Sequence, residues 1–221
     1  MSDLPAERKV VKGDIKKSLL EAVMKFSVLG SFAVVGQLVP MENYFIKSFF
    51  GLVYFYLTID ALLEINASCI MWITGWYIPP MFDYPFLSQS PRDFWSRRWN
   101  MMVHKFVHKH FFLPMKKAGL PTILPVICIG VFTSLIHEYI VFFSVLSLKW
   151  VGQMSVFFLI HVLATVIQIM VYKTGFWNSV PQKACNRILN ILLHTAWFVV
   201  TAPLFLKPFF AESEISSWLM L

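Results

Sequence analysis

Residues 119–148 have the sequence GLPTILPVICIGVFTSLIHEYIVFFSVLSL, which is apolar almost throughout. A transmembrane helix needs about 20 consecutive, mostly apolar residues, and this stretch exceeds that length. Two side chains well inside it, His137 and Glu138, depart from its apolar character because both can carry a charge. The stretch therefore predicts a membrane-spanning helix that holds an ionisable pair.

Four further stretches have the length and apolarity of a span. The chain is 57% hydrophobic and only 14% charged, whereas soluble domains carry about 25% charged residues. Residues 49–77 are too long for one straight span, so this helix must tilt strongly or break, with Gly75 as the candidate break. The sequence predicts an all-α polytopic membrane protein with about five transmembrane helices and one amphipathic interfacial helix. Besides residues 119–148, the predicted spans are Ser18–Val39, Phe49–Tyr77, Gln153–Tyr172 and Ile188–Leu206.

The placement of positive charge predicts the orientation of the chain. Most of the 19 Lys and Arg residues lie in the first 17 residues, in residues 92–117, or between Lys173 and Arg187. With the N-terminus in the cytoplasm, all three segments lie on the cytoplasmic side, as the positive-inside rule requires. Juxtamembrane lysines and arginines thus account for the net charge of +7, and nucleic acid is not needed as a partner. The first residues are polar, without the apolar segment of a cleavable signal peptide.

A loop and an amphipathic helix are predicted between the second and third spans. The loop is Pro79–Pro91, PPMFDYPFLSQSP, and it ends in a helix start where Ser90 caps and Pro91 is the first helical residue. The helix is predicted to run to about Phe112. At 100° per residue it has one apolar face, which lies on the membrane interface and consists of Trp95, Trp99, Met102, Val103 and Phe106.

Five segments follow from these predictions. Residues 1–17 form a basic cytoplasmic tail and residues 18–77 two transmembrane helices. Residues 78–118 form the cytoplasmic loop and the amphipathic helix, residues 119–206 three further transmembrane helices, and residues 207–221 a C-terminal tail.

The heptapeptide FWSRRWN, Phe94–Asn100, concentrates polar and aromatic chemistry in the amphipathic helix. Trp and Arg are common at any membrane interface, which is one sufficient explanation. A second interpretation is a binding site for a phosphate-bearing ligand. Two adjacent arginines and Asn100 are more than an interfacial helix requires, and guanidinium groups suit phosphates. The aromatic rings of the heptapeptide could stack on the ligand's base.

His137 is the strongest candidate for chemistry within a span. Ionisable residues inside a membrane usually face a cavity or a partner, and histidine suits general-base catalysis near neutral pH. The alternative is a neutral histidine that bonds to a neighbouring group such as Thr133, one turn earlier. His161 and His194 stand singly in apolar helices and are predicted to be packing residues. Asp60 and Glu64 repel each other at their i, i+4 spacing, so at least one is expected to be paired or protonated.

A metal site is the third interpretation. His104 and His108 have the H-x-x-x-H spacing that lets two imidazoles share a metal on a helix, and His110 follows. Membrane di-iron enzymes need several such boxes, and the chain has six histidines, of which three are isolated in spans. We therefore expect no metal.

The sequence PPMFDYPFLSQSPRDFWSRRWN, followed by HEY in the next span, resembles the membrane-bound O-acyltransferase superfamily. It is most similar to the wax synthase-like branch, the long-chain-alcohol O-fatty-acyltransferases. That branch has the pattern D-F-W-x-R-R-W-N, here Asp93–Asn100. The resemblance extends from about Ile78 to Leu206 and implies a shortened version of the family's fold.

The resemblance implies a reaction in which acyl-CoA, the co-substrate, transfers its acyl group to a lipid alcohol without any cofactor. His137 would be the general base, and Asn100 would polarise the thioester. Residues expected to bind substrate are Phe94, Trp95, Arg97, Arg98, Trp99, Glu138 and Tyr139. The contact of Arg97 and Arg98 with CoA phosphates is our own inference from their chemistry. The family's usual location, the endoplasmic reticulum, is expected.

The chain departs from the family in two respects. Ser96 replaces a glycine of the pattern, a change between small residues. Family members are also longer, with more spans before the motif helix. The chain is therefore a piece of an enzyme, is completed by a partner segment or another copy in a homo-oligomer, or is a non-catalytic membrane protein that binds lipid or a partner through a remnant acyl-CoA site.

Overall fold

The computed structural model of the chain describes residues 8–38, 44–146, 148–175 and 184–210. Its long helices are α1 (Asp14–Leu38), α2 (Tyr44–Thr74), α6 (Ile123–Val145), α7 (Gln153–Lys173) and α8 (Ala184–Phe210). Within the described ranges, these five helices are long and apolar enough to cross a membrane. The predicted all-α, five-span architecture is confirmed. Residues 1–7 and 211–221 of the two predicted tails lie outside the described part.

The long helices form one layered bundle. Helix α1 packs along α2, α2 packs against α8, and α7 lies between α6 and α8. The core where α7 and α8 meet is aromatic, and it includes Phe157, Phe158, Phe198 and Phe205. Because water is scarce in such a core, its few polar side chains must find partners inside the protein.

Helix α2 ends within the predicted stretch 49–77, at the residue that the sequence predicted as the candidate break. It runs through Thr74, and Gly75, with a φ of 68°, ends it. A residue with this left-handed backbone commonly closes a helix, and glycine adopts it without strain. At about 1.5 Å per residue the helix is longer than a bilayer core, so it must tilt.

The carboxylates inside α2 are paired, as the sequence suggested that at least one would be. The ammonium of Lys25, on α1, lies 2.9 Å from an oxygen of Asp60 and 3.5 Å from one of Glu64. The hydroxyl of Ser18 also donates to Glu64. The ammonium of Lys25 compensates part of the buried negative charge, and the cluster joins α1 to α2.

The prediction of one continuous amphipathic helix from Pro91 to Phe112 is wrong in one respect, because the chain leaves the helical conformation in the middle of that range. The segment consists of α3 (Pro91–Asp93), a π-helical turn (Phe94–Arg98), α4 (Met101–Val107), a second π-helical turn (His108–Phe112) and α5 (Leu113–Lys117). At the break Trp99 is extended, and Asn100 has left-handed backbone angles of φ 42° and ψ 65°.

The break separates the two halves of the predicted apolar face. Trp95 and Trp99 turn into the bundle and pack on the aromatic core. Met102, Val103 and Phe106 remain exposed on α4, where they can contact lipid. One continuous face on the helical wheel therefore becomes an inward face and an outward face.

Candidate active site

A cavity of about 350 Å³ lies between α2, the Phe94–Asn100 segment, α6, α7 and α8. Its wall is largely aromatic, and its few polar side chains include Asn100, His137 and His194. A mostly apolar pocket with a small number of convergent polar groups is typical of a small-molecule site. The cavity brings together the two residues that the sequence placed at the centre of the chemistry, Asn100 and His137.

His137 is oriented by the backbone of its own helix. Its Nδ1 lies 2.8 Å from the carbonyl oxygen of Thr133, and its ring packs on Phe158 with 4.3 Å between the ring centroids. Since a carbonyl oxygen can only accept a hydrogen bond, Nδ1 must carry the proton of the neutral ring. The lone pair then lies on Nε2, which makes that atom available as a base.

The segment that bears Asn100 begins with the predicted cap. The hydroxyl of Ser90 accepts from the backbone N–H of Asp93 at 3.2 Å, and the carboxylate of Asp93 accepts from the N–H of Gln89 at 3.1 Å. The first bond satisfies a donor that the helix start would otherwise leave free, and the second fixes the residue before the cap.

The side chain of Asn100 has one end engaged and one end free. Its Oδ1 accepts from the backbone N–H of Val103 at 3.3 Å and so caps α4. Because only the oxygen of an amide can accept that bond, the amide orientation is set. Its Nδ2 donates to no residue in the described part of the chain, and the residue lines the cavity. Asn100 therefore offers a fixed donor to a ligand.

Backbone hydrogen bonds tie the break at Trp99–Asn100 to the preceding loop. The N–H of Met101 donates to the carbonyl of Met81 at 2.7 Å, and the N–H of Asp83 donates to the carbonyl of Arg98 at 2.9 Å. The left-handed Asn100 thus lies between two fixed attachments.

A chain of polar groups holds Trp95 in the core. Its indole N–H donates to Nδ1 of His161 at 3.4 Å, and Nε2 of His161 lies 3.1 Å from the hydroxyl of Thr201. That hydroxyl in turn donates to the carbonyl of Trp197. Both ring nitrogens of His161 are satisfied, so it is the packing histidine that the sequence predicted. Its partners lie on α8 and in the motif segment, Phe94–Asn100. They could not be predicted from the sequence, because no regular spacing relates them to His161.

The two arginines of the motif have different surroundings. Arg98 is half-buried: its Nε donates to Asp93 at 3.0 Å, and it also donates to the carbonyl of Asp83 at 3.1 Å. It fastens the loop to the motif segment and does not line the cavity. Arg97 is exposed and also lies outside the cavity wall. Only Arg97 keeps its guanidinium accessible to a phosphate.

The structure does not bring Glu138 or Tyr139 into the cavity, although both were expected to bind substrate. Glu138 accepts from the backbone N–H of Ser155 at 2.7 Å, in the first turn of α7. Tyr139 is 64% exposed on the outer surface of α6. Consecutive residues of a helix point about 100° apart, so when His137 faces the cavity its two successors cannot.

The predicted substrate-binding aromatics do reach the cavity. Phe94, Trp95 and Trp99 all line it, and the rings of Phe94 and Trp99 stack with centroids 5.1 Å apart and 17° between their planes. They form a rigid apolar wall beside Asn100.

The histidines of α4 stay close together. The ring centroids of His104 and His108 are 5.8 Å apart, and His108 stacks on Phe112. Burial, followed by the nearby His108 and Lys105, lowers the pKa of His104 below its ordinary value. Within the described residues, no three His, Cys, Asp or Glu side chains form a group that could hold a metal ion.

Comparison with known proteins agrees with the resemblance in the motifs. Residues 78–160, which include both Asn100 and His137, match the model of the membrane bound O-acyl transferase family. One relative, from Arabidopsis thaliana, is described as probable long-chain-alcohol O-fatty-acyltransferase 7. It is 30% identical over 156 residues, which are 67% of this chain and 45% of the relative.

Another Arabidopsis relative is described as acyl-CoA–sterol O-acyltransferase 1. It is 28% identical over 171 residues, which are 74% of this chain and 48% of the relative. This chain therefore spans about half the length of the curated relatives that it matches. It is an integral membrane protein that belongs to the membrane-bound O-acyltransferase family and is similar to the wax synthase-like branch.

Proposed function

We propose that the chain carries the acyl-transfer site of an acyl-CoA-dependent O-acyltransferase that esterifies a lipid alcohol, as a wax ester synthase does. The observation that supports this most directly is the joint presence of His137 and Asn100 in one apolar cavity. The first offers a free acceptor nitrogen, and the second offers a fixed donor. Acyl transfer to a hydroxyl needs both groups, for the proton of the hydroxyl and for the carbonyl oxygen.

In the proposed reaction, Nε2 of His137 accepts the proton of the alcohol as its oxygen attacks the thioester carbonyl carbon. Negative charge develops on the carbonyl oxygen, and Nδ2 of Asn100 donates a hydrogen bond to it. The tetrahedral intermediate collapses, the carbon–sulfur bond breaks, and the thiolate of CoA takes the proton from His137. The products are an ester and free CoA, and no acyl-enzyme forms.

The walls of the cavity suit this reaction in two ways. Aromatic rings such as Phe157, Phe158 and Phe198 can pack against an acyl chain. The same rings restrict water, which would otherwise compete with the alcohol and hydrolyse the thioester. Trp95, held by His161, keeps the motif segment against this wall.

The CoA head group would lie outside the cavity, on the side of the motif segment. Arg97 is the arginine suited to its phosphates, since Arg98 is occupied by Asp93 and the loop carbonyls. With the N-terminus in the cytoplasm, this side faces soluble acyl-CoA. We propose the endoplasmic reticulum as the location, from the family's usual site. The length of the relatives favours completion of the cavity by a further segment or another copy.

The test is ester synthesis in membranes of cells that lack their own neutral-lipid acyltransferases. The chain and its His137→Ala and His137→Gln variants would receive labelled acyl-CoA with fatty alcohols, a sterol or diacylglycerol. His110→Ala is the matched control, because it removes a histidine that does not line the cavity. Ester from the parent and the control, but not from the His137 variants, would support the proposal and identify the acceptor.

If none of the four proteins makes ester although each is folded in the membrane, the proposal that this chain acts without a partner segment is contradicted. Equal ester from the parent and the His137 variants would contradict the assigned base. Repeating the assay with a co-expressed N-terminal half of a long-chain-alcohol O-fatty-acyltransferase would test whether a missing segment is what the chain needs.

A further inference from the structure

The cavity is long enough for an extended hydrocarbon tail. On α2 its wall runs from Phe49 to Ile59, which at about 1.5 Å per residue is a length of about 15 Å. The hydrocarbon core of a bilayer is about 30 Å thick, so this length is close to that of the tails in one leaflet. The wall contains two groups of aromatic rings, and each group is joined to one of the two proposed catalytic side chains.

The first group borders Asn100 and consists of rings from α2 and from the loop before the motif segment. The ring of Phe82 lies 4.7 Å from that of Trp99, the residue before Asn100. Tyr56, on α2, lies 5.4 Å from Phe82 and 5.2 Å from Phe86. All four rings line the cavity, and we call them the loop-side rings.

The second group is reached from His137. The ring of Phe158, which packs on His137, lies 6.4 Å from that of Phe205 on α8. Phe205 in turn lies 4.8 Å from Phe55 on α2 and 5.6 Å from Phe209 on α8. Phe55, Phe205 and Phe209 all line the cavity, and we call them the end rings.

The end rings lie where α2 and α8 come close together. A Cβ atom at Gly51 would be only 2.8 Å from the side chain of Leu206. Phe55 contacts both Phe205 and Phe209, the latter at 5.7 Å, so the three rings bridge the two helices. Protein interiors are closely packed, and a further methylene at a site that is already filled must displace its neighbours. Rings in this position therefore limit the length of a hydrocarbon tail.

The proposed reaction decides which tail reaches the end rings. The hydroxyl of the alcohol must lie within hydrogen-bond reach of Nε2 of His137, whereas the thioester carbonyl lies at Nδ2 of Asn100. A tail that begins beside His137 passes Phe158 and then meets the end rings. The loop-side rings, in contrast, border Asn100. The end rings therefore belong to the alcohol.

We propose that Phe55 and Phe209 are specificity-determining residues, which limit the length of the acceptor alcohol and leave the selection of the acyl chain unaffected. The inference rests on the proposed function. Both rings act by exclusion alone: an alcohol whose tail is too long for the space in front of them cannot place its hydroxyl at Nε2 of His137.

The first experiment is a competition among alcohols. The purified full chain in lipid nanodiscs receives palmitoyl-CoA and an equimolar mixture of dodecanol, hexadecanol and eicosanol. The variants are Phe55→Ala, Phe209→Ala and Phe209→Trp, and the control is Phe143→Ala, which removes an exposed ring of α6 outside the cavity. The ratio of the esters formed in one reaction reports relative kcat/KM and does not depend on how much of a variant is folded.

Both alanine variants should raise the ratio of long to short alcohol in the ester by about 10-fold or more, since one methylene in an apolar pocket changes kcat/KM by about 10–200-fold. Phe209→Trp should lower this ratio, because its larger ring shortens the space, and it tests the inference without leaving a void. Phe143→Ala should keep the parental ratio. With one alcohol and a mixture of lauroyl-CoA and stearoyl-CoA, all variants should keep the parental acyl preference.

The second experiment does not require turnover. Hexadecanol with a photoreactive diazirine at the end of its tail is bound without acyl-CoA, irradiated, and located by mass spectrometry of the digested chain. We expect label near Phe55 on α2 or near Phe209 on α8. Label on residues 82–86 would show instead that the alcohol tail lies among the loop-side rings.

Three outcomes would overturn the inference: parental alcohol ratios in all three variants, a change in acyl preference in place of alcohol preference, and label on the loop-side rings. A parent that is labelled near Phe55 or Phe209 but makes no ester would contradict the proposed function alone. A parent that neither makes ester nor takes up label would contradict both.

Discussion

The carboxylate of Glu138 accepts a hydrogen bond from the backbone N–H of Ser155 at 2.7 Å. The residue directly after His137 thus holds the first turn of α7, the helix that carries Phe158. Since the ring of His137 packs on Phe158, this bond fixes the two helices whose approach forms that side of the cavity. Glu138 contributes to the site by placing α7.

The first prediction concerns this contact. Glu138→Ala should lower the free energy of unfolding by about 1–2 kcal/mol, because it leaves the N–H of Ser155 without its acceptor. Glu138→Gln keeps a carbonyl acceptor and should lose less. Thermal unfolding in detergent checks both. If Glu138→Ala were as stable as the parent but bound its acyl acceptor less tightly, Glu138 would be a substrate-binding residue after all.

The second prediction separates the two ends of the Asn100 side chain. Asn100→Asp keeps the acceptor that caps α4 and tolerates the left-handed backbone, but it has no amide donor. We expect it to fold like the parent and to lose about 100-fold or more in kcat. Asn100→Gly suits a φ of 42° but loses both cap and donor. Asn100→Asp with near-parental kcat would exclude the amide from catalysis.

The third prediction uses the adjacent arginines as a matched pair. Arg98→Gln should lower stability by about 2 kcal/mol, because hydrogen bonds from a charged group to Asp93 and to the Asp83 carbonyl are lost. It should also make residues 79–90 easier to cleave by protease. Arg97→Gln should change neither property but should raise KM for acyl-CoA. A reversal of these two phenotypes would show that the roles are exchanged.

The fourth prediction tests the close approach of α6 and α7. A Cβ atom at Gly130 would collide with the side chain of Val162, and small residues let helices in membranes pack closely. Gly130→Ala should therefore destabilise the protein by about 1–3 kcal/mol. Adding Val162→Ala should restore much of the loss in a double-mutant cycle. Gly51→Ala is the control, because its Cβ would meet only the flexible end of Leu206.

The fifth prediction concerns pH. The pKa of His104 is lowered in the folded protein by burial, then by His108 and Lys105, so the unfolded chain binds the proton more tightly. The stability that this contributes is present above about pH 6.5, the ordinary pKa of histidine, and is lost as the pH falls below it. His104→Gln should flatten the decline in unfolding temperature between pH 7.5 and pH 5.5. An unchanged decline would contradict the shift.

The sequence was sufficient to predict those helices that depend only on residues close together in the chain. The five spans follow from length and apolarity, and the helix start at Ser90 follows from a serine before a proline. Asn100 interrupts a pattern that is periodic on both of its sides, which is why the wheel predicted one continuous helix. Only the hydrogen bonds of the neighbouring loop, through Met81 and Asp83, show why the chain turns there.

The same division applies to the site. His137 and Asn100 could be found because a histidine in a span and an asparagine in an aromatic motif are unusual in themselves. Glu138, Tyr139 and Arg98 were grouped with them because they stand in the same two motifs, and their directions depend on helix rotation and on partners elsewhere in the chain. His194 and His161 look alike in sequence, and only the partners of each ring distinguish them.

The dual use of Asn100 has a consequence for natural variation among related chains. A lineage that no longer made esters would still benefit from asparagine there, since the cap and the left-handed turn serve the fold regardless of any substrate. His137 gives the fold one bond to its own helix and one ring contact, which apolar residues replace readily in a membrane. After a loss of activity, His137 should therefore be substituted before Asn100. A homologue that keeps Asn100 but lacks His137 is the expected form of a chain that no longer catalyses.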